Sequence, residues 1–391
     1  MARHAVVVGE GVAACATVLT LERTGFDVTR MRSVPESDRS TILGPPDDLW
    51  IALWKNGVSC LRALGITDFP DSNTPKFERA QFREHRGADV ATVSLDPGAF
   101  FVQRRVLRQR IEKELRAHPP ESELWTACDQ PNSVHIHDMS GGVKSCDLLI
   151  GADGIRGRTR QMLHGNAGIR SANQQVVCGF TSLNEPSLRA AVDRFIPGGL
   201  ALSTADDASL FVGLRVADDR LYWYCAGLAS LGTWDSVPEL TAVLARRFRS
   251  FHEPIPTILE HGTPSPQGLF VEDLRPGTRF TRGRIALVGD AAHAMTPDLG
   301  QGCNQSLEDA VSLGKALGRK TSVLSALRDF AHEREPRAGL ITEVSYLLSQ
   351  ATLPGSSLGA VARDGLMWLG RPFHVASMRW ILDGGPAQAA G

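Results

Sequence analysis

The chain opens on a short apolar run, followed by a helical pattern and a second apolar run. Residues 5–8 predict a buried strand, and the stretch from there to about Arg23 predicts a helix. Gly25 ends that helix, and residues 26–31 predict a second strand. This strand–helix–strand order predicts a βαβ unit and therefore an α/β fold.

Two later apolar strands each end in a glycine-aspartate corner. Residues 147–150 run into Gly151-Ala152-Asp153-Gly154, and residues 285–288 run into Gly289-Asp290. A run with helical periodicity, residues 304–317, follows the second corner after a glycine-rich loop. Both corners therefore present a carboxylate where a strand ends.

The middle of the chain has a different pattern. Residues 77–93 alternate apolar and polar positions, and residues 176–258 contain several short runs of the same kind. A helical pattern over residues 237–251 interrupts them. These runs predict a mostly antiparallel sheet. A sheet inserted between cofactor-like motifs is a natural substrate domain, because ligands favour clefts between domains.

Two further stretches predict helices. Residues 47–64 place tryptophans and leucines on one face, which predicts an amphipathic helix that packs on a core. Residues 323–334 and 338–350 predict two C-terminal helices. Pro336 lies between these two patterns, and proline in a helix interior removes a backbone hydrogen bond.

The predicted organisation is a Rossmann-like FAD-binding domain of the glutathione-reductase type, with an inserted, mostly antiparallel β-sheet domain for the substrate. The FAD-binding domain is discontinuous and comprises residues 1–72, 100–175 and 276–345. The substrate domain comprises residues 73–99 and 176–275, and residues 346–391 form a C-terminal helical segment and tail.

Composition excludes several classes of function. A formal net charge of −1 over 391 residues argues against nucleic acid as a partner. No apolar run is long enough to span a bilayer, so we predict no membrane partner. Seven cysteines lack the spacing of a zinc site or a disulfide framework, so we expect reduced thiols, no metal and a cytoplasmic protein.

The first predicted strand ends in a dinucleotide-binding fingerprint, Gly9-x-Gly11-x-x-Ala14. Gly9 permits a tight turn, Gly11 lets the backbone approach a pyrophosphate, and the small Ala14 lets helix and strand pack closely. The fingerprint expects an acidic residue at the end of the second strand, where it binds the ribose hydroxyls. Arg32 stands there instead, and arginine cannot accept a hydrogen bond.

The corner at Asp290 leads into a loop whose glycines precede a helix. Gly300 and Gly302 bring the backbone close to a ligand, and the first N–H groups of a helix favour negative charge. The other corner, whose basic flank follows Asp153, could place this carboxylate beside the phosphates or sugar of a cofactor, and Ala-Asp-Gly is also a common turn. All three motifs are therefore candidate cofactor-binding segments.

The order of the motifs resembles that of the single-component FAD-dependent monooxygenases with the para-hydroxybenzoate hydroxylase fold. The motifs are Gly9-x-Gly11-x-x-Ala14, Gly151-Ala-Asp153-Gly154-Ile-x-x-x-x-Arg160, Gly289-Asp290-Ala-Ala-His293 and Pro297-x-x-Gly300-Gln-Gly302-x-Asn304. Two smaller segments, Arg104-x-x-Leu107 and Glu333-Arg-Glu-Pro336-Arg337, are similar to further segments of that family. The resemblance spans about residues 5–345.

The resemblance implies bound FAD and a set of cofactor-binding residues. Asp290 would hold a ribityl hydroxyl, Arg104 would reach the ribityl or phosphate region, and Asp153 would support FAD and the nicotinamide cofactor. The whole predicted set is Gly9, Gly11, Val12, Ala13, Arg32, Arg104, Asp153, Asp290, Pro297, Gly300, Gly302, Cys303 and Asn304.

The reaction implied by the resemblance is hydroxylation or epoxidation of a small aromatic or polycyclic substrate. NAD(P)H, a transient reductant, would reduce the flavin, and dioxygen would form a flavin hydroperoxide that gives one oxygen atom to the substrate. No catalytic base can be named from the sequence. Five aromatic residues are candidates either for the walls of the substrate pocket or for the protein core: Trp50, Trp54, Phe211, Trp223 and Phe270.

The chain departs from the family pattern at four positions. Arg32 replaces the expected acid, Ala14 the third glycine, Gly157 the usual serine, and Ala294 the proline after His293. Only Arg32 bears strongly on the cofactor, because it changes how the adenosine end is held.

Two alternatives share the fold. A flavin halogenase would carry a Trp-x-Trp-x-Ile-Pro signature, which Tyr222-Trp-Tyr-Cys does not match. A flavin-dependent isomerase or cyclase auxiliary, or a binding protein of the same fold that has lost FAD, is supported by Arg32 alone. Flavin absorbance of the purified protein would separate an enzyme from a protein that has lost FAD.

Overall fold

The structure is a computed structural model that describes residues 3–33, 49–120, 122–205, 209–228, 234, 236–320 and 322–352. The described strands are β1 (Arg3–Val8), β2 (Phe26–Ser33), β3 (Trp50–Leu53), β4 (Lys76–Glu84), β5 (Asp89–Gln103), β6 (Ser122–Asp129), β7 (Val134–Asp138), β8 (Val143–Cys146), β9 (Leu148–Gly151), β10 (Ile169–Ser182), β11 (Gly199–Thr204), β12 (Leu210–Ala217), β13 (Arg220–Leu228), β14 (Gly262–Leu274), β15 (Thr281–Arg282) and β16 (Ile285–Leu287).

The described helices are α1 (Val12–Arg23), α2 (Lys55–Ala63), α3 (Arg104–Glu112), α4 (Arg158–His164), α5 (Pro186–Phe195), α6 (Val237–Phe248), α7 (Ile255–Glu260), α8 (Asp290–His293), α9 (Gly302–Arg319) and α10 (Val323–Thr352). A 3-10 turn, Pro297–Leu299, lies between α8 and α9. Among the described residues, no helix is both long and apolar enough to cross a membrane.

The first sheet has the strand order β15-β16-β9-β1-β2-β6-β7-β8. Strand β1 pairs in parallel with both β2 and β9, β16 pairs in parallel with β9, and β2 with β6. The carboxyl ends of β16, β9, β1 and β2 therefore lie along one edge. Helices cover both faces of a parallel sheet, which explains why these strands are short uninterrupted apolar runs in the sequence.

The second sheet has the order β14-β10-β13-β12-β11-β4-β5-β3 and is mostly antiparallel, with β11 and β4 parallel. Successive side chains of its strands lie alternately in two apolar layers, one on each face of the sheet. Leu221 and Trp223 of β13 pack towards α5, α6 and α7, whereas Tyr222 and Tyr224 face the opposite side. The predicted α/β fold with an inserted, mostly antiparallel sheet is confirmed.

The helix predicted over residues 47–64 is only partly correct. Trp50–Leu53 is strand β3, which pairs antiparallel with the end of β5, and the helix begins at Lys55. The sheet edge supplies hydrogen bonds that the apolar periodicity did not reveal. Strand β3 therefore belongs to the second sheet although its position falls in the predicted FAD-binding segment 1–72, and Asp47 lies outside the described residues.

The two predicted C-terminal helices are one helix, α10, with Pro336 inside it. Proline has no N–H, so Pro336 cannot donate a hydrogen bond to the carbonyl of His332, four residues earlier. Both residues are exposed. Water can satisfy a carbonyl on that exposed face, so the helix continues through the proline.

On the opposite side of α10, Arg334 is completely buried and joins α10 to α9. Its guanidinium donates to Glu308 Oε2 at 2.6 Å and to Asp309 Oδ1 at 2.8 Å. Burial acts to raise the pKa of Asp309, but His293 and Arg334 outweigh it and hold that pKa below its ordinary value. Arg337 donates to Glu308 as well, at 2.7 Å. These contacts fix the register of α10 against α9.

Replacing Arg334 with Met tests this network. The substitution leaves two buried carboxylates without their shared cation, so we expect unfolding free energy to fall by about 3–5 kcal/mol. Lys320→Met removes an exposed partner of Asp329 and is the control, with an expected loss of about 0–1 kcal/mol. Urea unfolding of the two variants measures both losses, and equal losses would contradict the role of Arg334.

Candidate active site

The turn after β1 is wedged between the ends of β2 and β9. Gly9 adopts φ +128°, and its N–H donates to Met31 O at 2.9 Å. A Cβ at this position would overlap the carbonyl of Ala152 in the corner after β9. Only glycine satisfies both the backbone angle and this close approach. The first two sequence motifs therefore touch.

The third motif contacts the first at Gly289. Gly289 has φ +60°, and a Cβ there would lie 2.6 Å from Ala13 Cβ in the first turn of α1. Its N–H donates to Asp309 Oδ2 at 2.8 Å, and the same oxygen lies 2.6 Å from His293 Nε2. Asp309 therefore fixes the corner from the protein interior. The carboxylate of Asp290, at the start of α8, is exposed.

Arg104 and Asp290 come together near the start of α9. A Cβ on Gly11 would lie 3.5 Å from Arg104 Nη2, which places this guanidinium across the glycine-rich turn. Burial raises the pKa of the Cys303 thiol to about 12, while Arg104 lowers it and Asp290 raises it further. Gly11, Arg104, Asp290 and Cys303 therefore lie around one region, although they are far apart in sequence.

Two helices point uncapped N-termini towards this region. The N-caps of α1 and α9 are Gly11 and Gln301, and neither provides a side-chain hydrogen bond to its helix. The first turn of each helix also lacks an acidic residue. Val12 is buried in the core, so it offers only its backbone N–H to a ligand. Both helix ends can accept the negative charge of a ligand.

The loop before α9 packs against the second sheet. Gly300 is left-handed at φ +58°, and a Cβ there would lie 3.1 Å from Trp54 Nε1. Asn304 holds the loop in place, because its Nδ2 donates to Ala52 O and to Gly300 O, both at 2.9 Å. Its Oδ1 accepts from Trp54 N–H at 3.0 Å. The loop therefore joins the two sheets.

Gly302 is different, because a Cβ added there would meet no protein atom closer than Met295 Cγ at 3.9 Å. Its backbone is not left-handed. The side of the loop that Gly302 faces is thus open, and Pro297, in the 3-10 turn, is exposed. The start of α9 therefore borders space that a ligand can occupy.

Asp153 lies in the corner after β9, but its side chain points to protein groups. Its Oδ2 accepts from Thr159 N–H and from Ser33 Oγ, both at 2.9 Å, and so caps α4. Burial raises the pKa of Asp153, and these hydrogen bonds act against the rise. A Cβ at Gly157 would overlap the Asp153 carboxylate, which explains the glycine in place of the family's serine.

Arg32 stands near the end of β2, as the motif alignment predicts. Its Nε lies 3.6 Å from Glu10 Oε2 in the glycine-rich turn, and about half of each side chain is exposed, 52% and 51%. An ion pair this exposed contributes about 0–1 kcal/mol. Arg32 therefore lies at the open end of the region rather than in its interior.

The five aromatic residues proposed as pocket walls are divided by the structure. Trp50 and Trp54 pack in the layer of the second sheet that faces the Gly300 loop. Phe211 and Trp223 are buried in the opposite layer, where Trp223 Nε1 donates to Thr181, and they cannot line the site. Phe270 is 56% exposed on the outside. Successive residues of a strand face opposite sides of the sheet, so the register of each strand decides which of these aromatic residues face the loop.

Several buried residues that support the site from the protein interior were not predicted from the sequence. Arg160 is buried and donates to Ala291 O at 3.3 Å, so the second motif supports the third. Asp309 and Arg334 support the corner before Asp290. Their signal was present in the sequence, since Glu308-Asp309 closes the third motif and Arg334 lies within the Glu-x-x-Pro-Arg segment.

Comparison with known proteins agrees with this geometry. The model of the family described as FAD binding domain matches residues 122–345. The chain is 27% identical over 351 residues to an FAD-dependent urate hydroxylase of Klebsiella pneumoniae subsp. pneumoniae, covering 84% of this chain and 85% of that protein. It is 26% identical over 362 residues to a kynurenine 3-monooxygenase of Salinispora arenicola, covering 87% and 78%.

Solved structures share the fold. The Klebsiella pneumoniae HpxO complexed with FAD and uric acid aligns with a TM-score of 0.82 at 23% identity, covering 98% of this chain and 97% of that one. A salicylate hydroxylase substrate complex aligns with a TM-score of 0.74 at 20% identity, covering 97% and 98%. The family model covers more than half of the chain. The chain therefore belongs to the FAD-binding domain family and is an FAD-dependent NAD(P)H monooxygenase.

Proposed function

We propose that this monooxygenase binds FAD along the carboxyl edge of its first sheet and hydroxylates a small aromatic molecule held under the second sheet. The observation that carries the proposal is the convergence of Gly11, Arg104, Asp290 and the start of α9 around one open region. The relatives act on urate and kynurenine by their names, and both are small molecules with planar rings.

The residues present fit FAD. The uncapped N-terminus of α1 offers the backbone N–H groups of Gly11, Val12 and Ala13 to the pyrophosphate, and Arg104 adds a positive charge beside them. The exposed Asp290 carboxylate accepts a hydrogen bond from a ribityl hydroxyl. When bound, the flavin supplies reduction by NAD(P)H and transfer of one oxygen atom from dioxygen to the substrate.

The loop from Pro297 to Asn304 holds the flavin ring in this proposal. The open face of Gly302 lets the ring approach the backbone, and the start of α9 stabilises negative charge there. Cys303 follows Gly302 in the same turn. Asn304 keeps the loop closed against β3, so the donors are fixed before a ligand arrives.

Two of the predicted cofactor residues act differently in this proposal. Asp153 supports the site indirectly, because its carboxylate fixes the start of α4 rather than facing the open region. Arg32 lies near the adenosine end in this proposal and forms only an exposed ion pair with Glu10, so it faces the base or solvent rather than replacing a ribose acceptor.

The substrate lies on the inner layer of the second sheet, where several apolar side chains are only partly buried. Trp50, Phe180, Leu202 and Tyr224 are members of this group. A surface of this kind excludes water and accepts a flat ring. A cytoplasmic location is part of the proposal, because thiols stay reduced in that compartment.

Gly302→Val tests the position of the flavin. The added side chain enters the open face rather than the protein, so we expect FAD affinity to fall about 10- to 100-fold, from an overpacking cost of about 1–3 kcal/mol. Gly318→Val is the matched control, because it makes the same change in α9 where a Cβ meets no atom within 4 Å. FAD titration of the apoproteins measures both, and equal affinities would remove Gly302 from the flavin site.

Gly157→Ser tests the coupling between Gly157 and Asp153. Although serine is the family's usual residue, we expect it to displace the Asp153 carboxylate from its cap and to cost about 0.5–2 kcal/mol of stability. In an Asp153→Ala background the same substitution should cost nothing further. Gly318→Ser controls for the serine itself, and additive losses in the double variant would contradict the coupling.

The oxygenase activity is tested with isotopically labelled dioxygen. A screen of phenols, indoles and polyketide-like aromatics for stimulated NAD(P)H consumption would identify a substrate, and mass spectrometry would then locate the label. We expect one labelled oxygen atom in the product. A product without label, formed by protein that retains FAD, would instead support an isomerase or cyclase auxiliary.

A further inference from the structure

The glycine-rich turn carries a carboxylate next to the site proposed for the pyrophosphate. Glu10 lies between Gly9 and Gly11, and its side chain is about half exposed. The N–H of Gly9 donates to Met31 O at 2.9 Å, so the turn is tied to the end of β2. A carboxylate in this turn repels a pyrophosphate unless it is directed away from the N-terminus of α1. The direction of the Glu10 side chain therefore matters for FAD.

Arg32 gives the Glu10 side chain its direction. Arg32 stands near the end of β2, and its Nε lies 3.6 Å from Glu10 Oε2. The carboxylate of Glu10 therefore lies beside residue 32, the position where the dinucleotide-binding fingerprint expects an acid. The acid stands in the turn and the cation at the end of β2. The ion pair occupies little of the carboxylate, which has about four lone-pair sites for hydrogen bonds.

The polar residue that follows Arg32 is already engaged. Ser33 Oγ donates to Asp153 Oδ2 at 2.9 Å and accepts from Arg158 N–H at 3.1 Å. Asp153 Oδ2 also accepts from Thr159 N–H at 2.9 Å. Both side chains therefore serve the start of α4 rather than a ligand at the end of β2.

Glu123 is a carboxylate on the other side of β2. It is the register partner of Arg32 on β6, and its side chain is exposed. In the first sheet β2 lies between β6 and β1, and the glycine-rich turn follows β1. Strand β2 therefore separates Glu123 from the turn, whereas Glu10 belongs to it.

We propose that Glu10 binds the adenosine ribose of FAD, and that Arg32 is the positioning residue that directs its carboxylate there. The inference rests on the proposed function, because it takes the pyrophosphate to lie at the N-terminus of α1. From there the ribose of a dinucleotide extends towards the end of β2. The Glu10 carboxylate accepts hydrogen bonds from the ribose hydroxyls, which Arg32 cannot do.

FAD and an analogue that lacks the 2′-hydroxyl of the adenosine ribose measure this contact. Each is titrated into the apoprotein, flavin fluorescence gives its dissociation constant, and the ratio of the two constants is the hydroxyl preference. A hydrogen bond to a charged acceptor predicts a preference of about 10-fold in the wild type. Glu10→Ala removes the acceptor and should reduce the preference to about twofold or less. Glu123→Ala makes the same change beyond β2 and should keep the preference of the wild type.

Two substitutions of Arg32 test its role and the position of the ribose. In the Glu10→Ala background, Arg32→Glu returns a carboxylate to the end of β2, so we expect the preference to recover to about 10-fold. In the wild-type background, Arg32→Met leaves Glu10 in place but removes the cation that directs it. We expect the preference to fall to about threefold or less, because the carboxylate is no longer preorganised.

The proposal is overturned if the apoprotein binds FAD and the analogue equally, if Glu10→Ala keeps the preference, or if Glu123→Ala loses it. It is also overturned if Arg32→Glu fails to restore the preference in the Glu10→Ala background. A preference that survives Arg32→Met contradicts the positioning role of Arg32. In all these cases FAD still binds, so the proposed function stands. An apoprotein that binds neither flavin contradicts the proposed function, and this inference with it.

Discussion

The buried ion pairs of Arg334 are the constraint on which the site depends. This guanidinium holds Glu308 and Asp309 of α9, and Asp309 in turn accepts from the Gly289 N–H and contacts His293. The corner that presents Asp290 is thus fixed from the side away from the ligand. Such pairs stabilise little compared with an apolar core, but losing one partner is expensive, which makes the geometry specific.

Glycines shape the opposite side of the site, where the proposed ligand binds. Gly9 and Gly289 both have positive φ angles and lie where two motifs touch. A side chain at either position would clash with the neighbouring motif. Gly302 is open and leaves room for a ligand. Gly157 also lacks a side chain, and the carboxylate of Asp153 occupies the space that this leaves. A departure from the family pattern is thereby explained by a local contact.

The second sheet divides its residues by parity. Its outer layer packs on α5, α6 and α7, and its inner layer meets the loop that contains Gly300. Asn304 connects that loop to the sheet, and Thr296, whose hydroxyl donates to Ser345, connects it to α10. The C-terminal helix therefore contacts the loop that contains Gly300 as well as α9.

The sequence by itself determined the fold class, the three motifs and their order. Short apolar strands, glycine positions and helix starts are local properties, so the turn at Gly9, the corner at Asp290 and the long α9 could be predicted from the residues that form them. The family resemblance added FAD and the reaction. Predictions went wrong where a distant partner decides the structure, as at Trp50–Leu53, which pairs with β5 instead of forming a helix.

Only the tertiary structure decided which side chains face the site. Phe211 and Trp223 are as aromatic as Trp54, but strand register turns them into the opposite core. Pro336 lies within one helix because the His332 carbonyl, which the proline leaves without a donor, lies on the exposed side of that helix. Asp153 caps α4 and also accepts from Ser33, which is distant in sequence. Burial and partners of this kind depend on the whole fold, and no local pattern of residues records them.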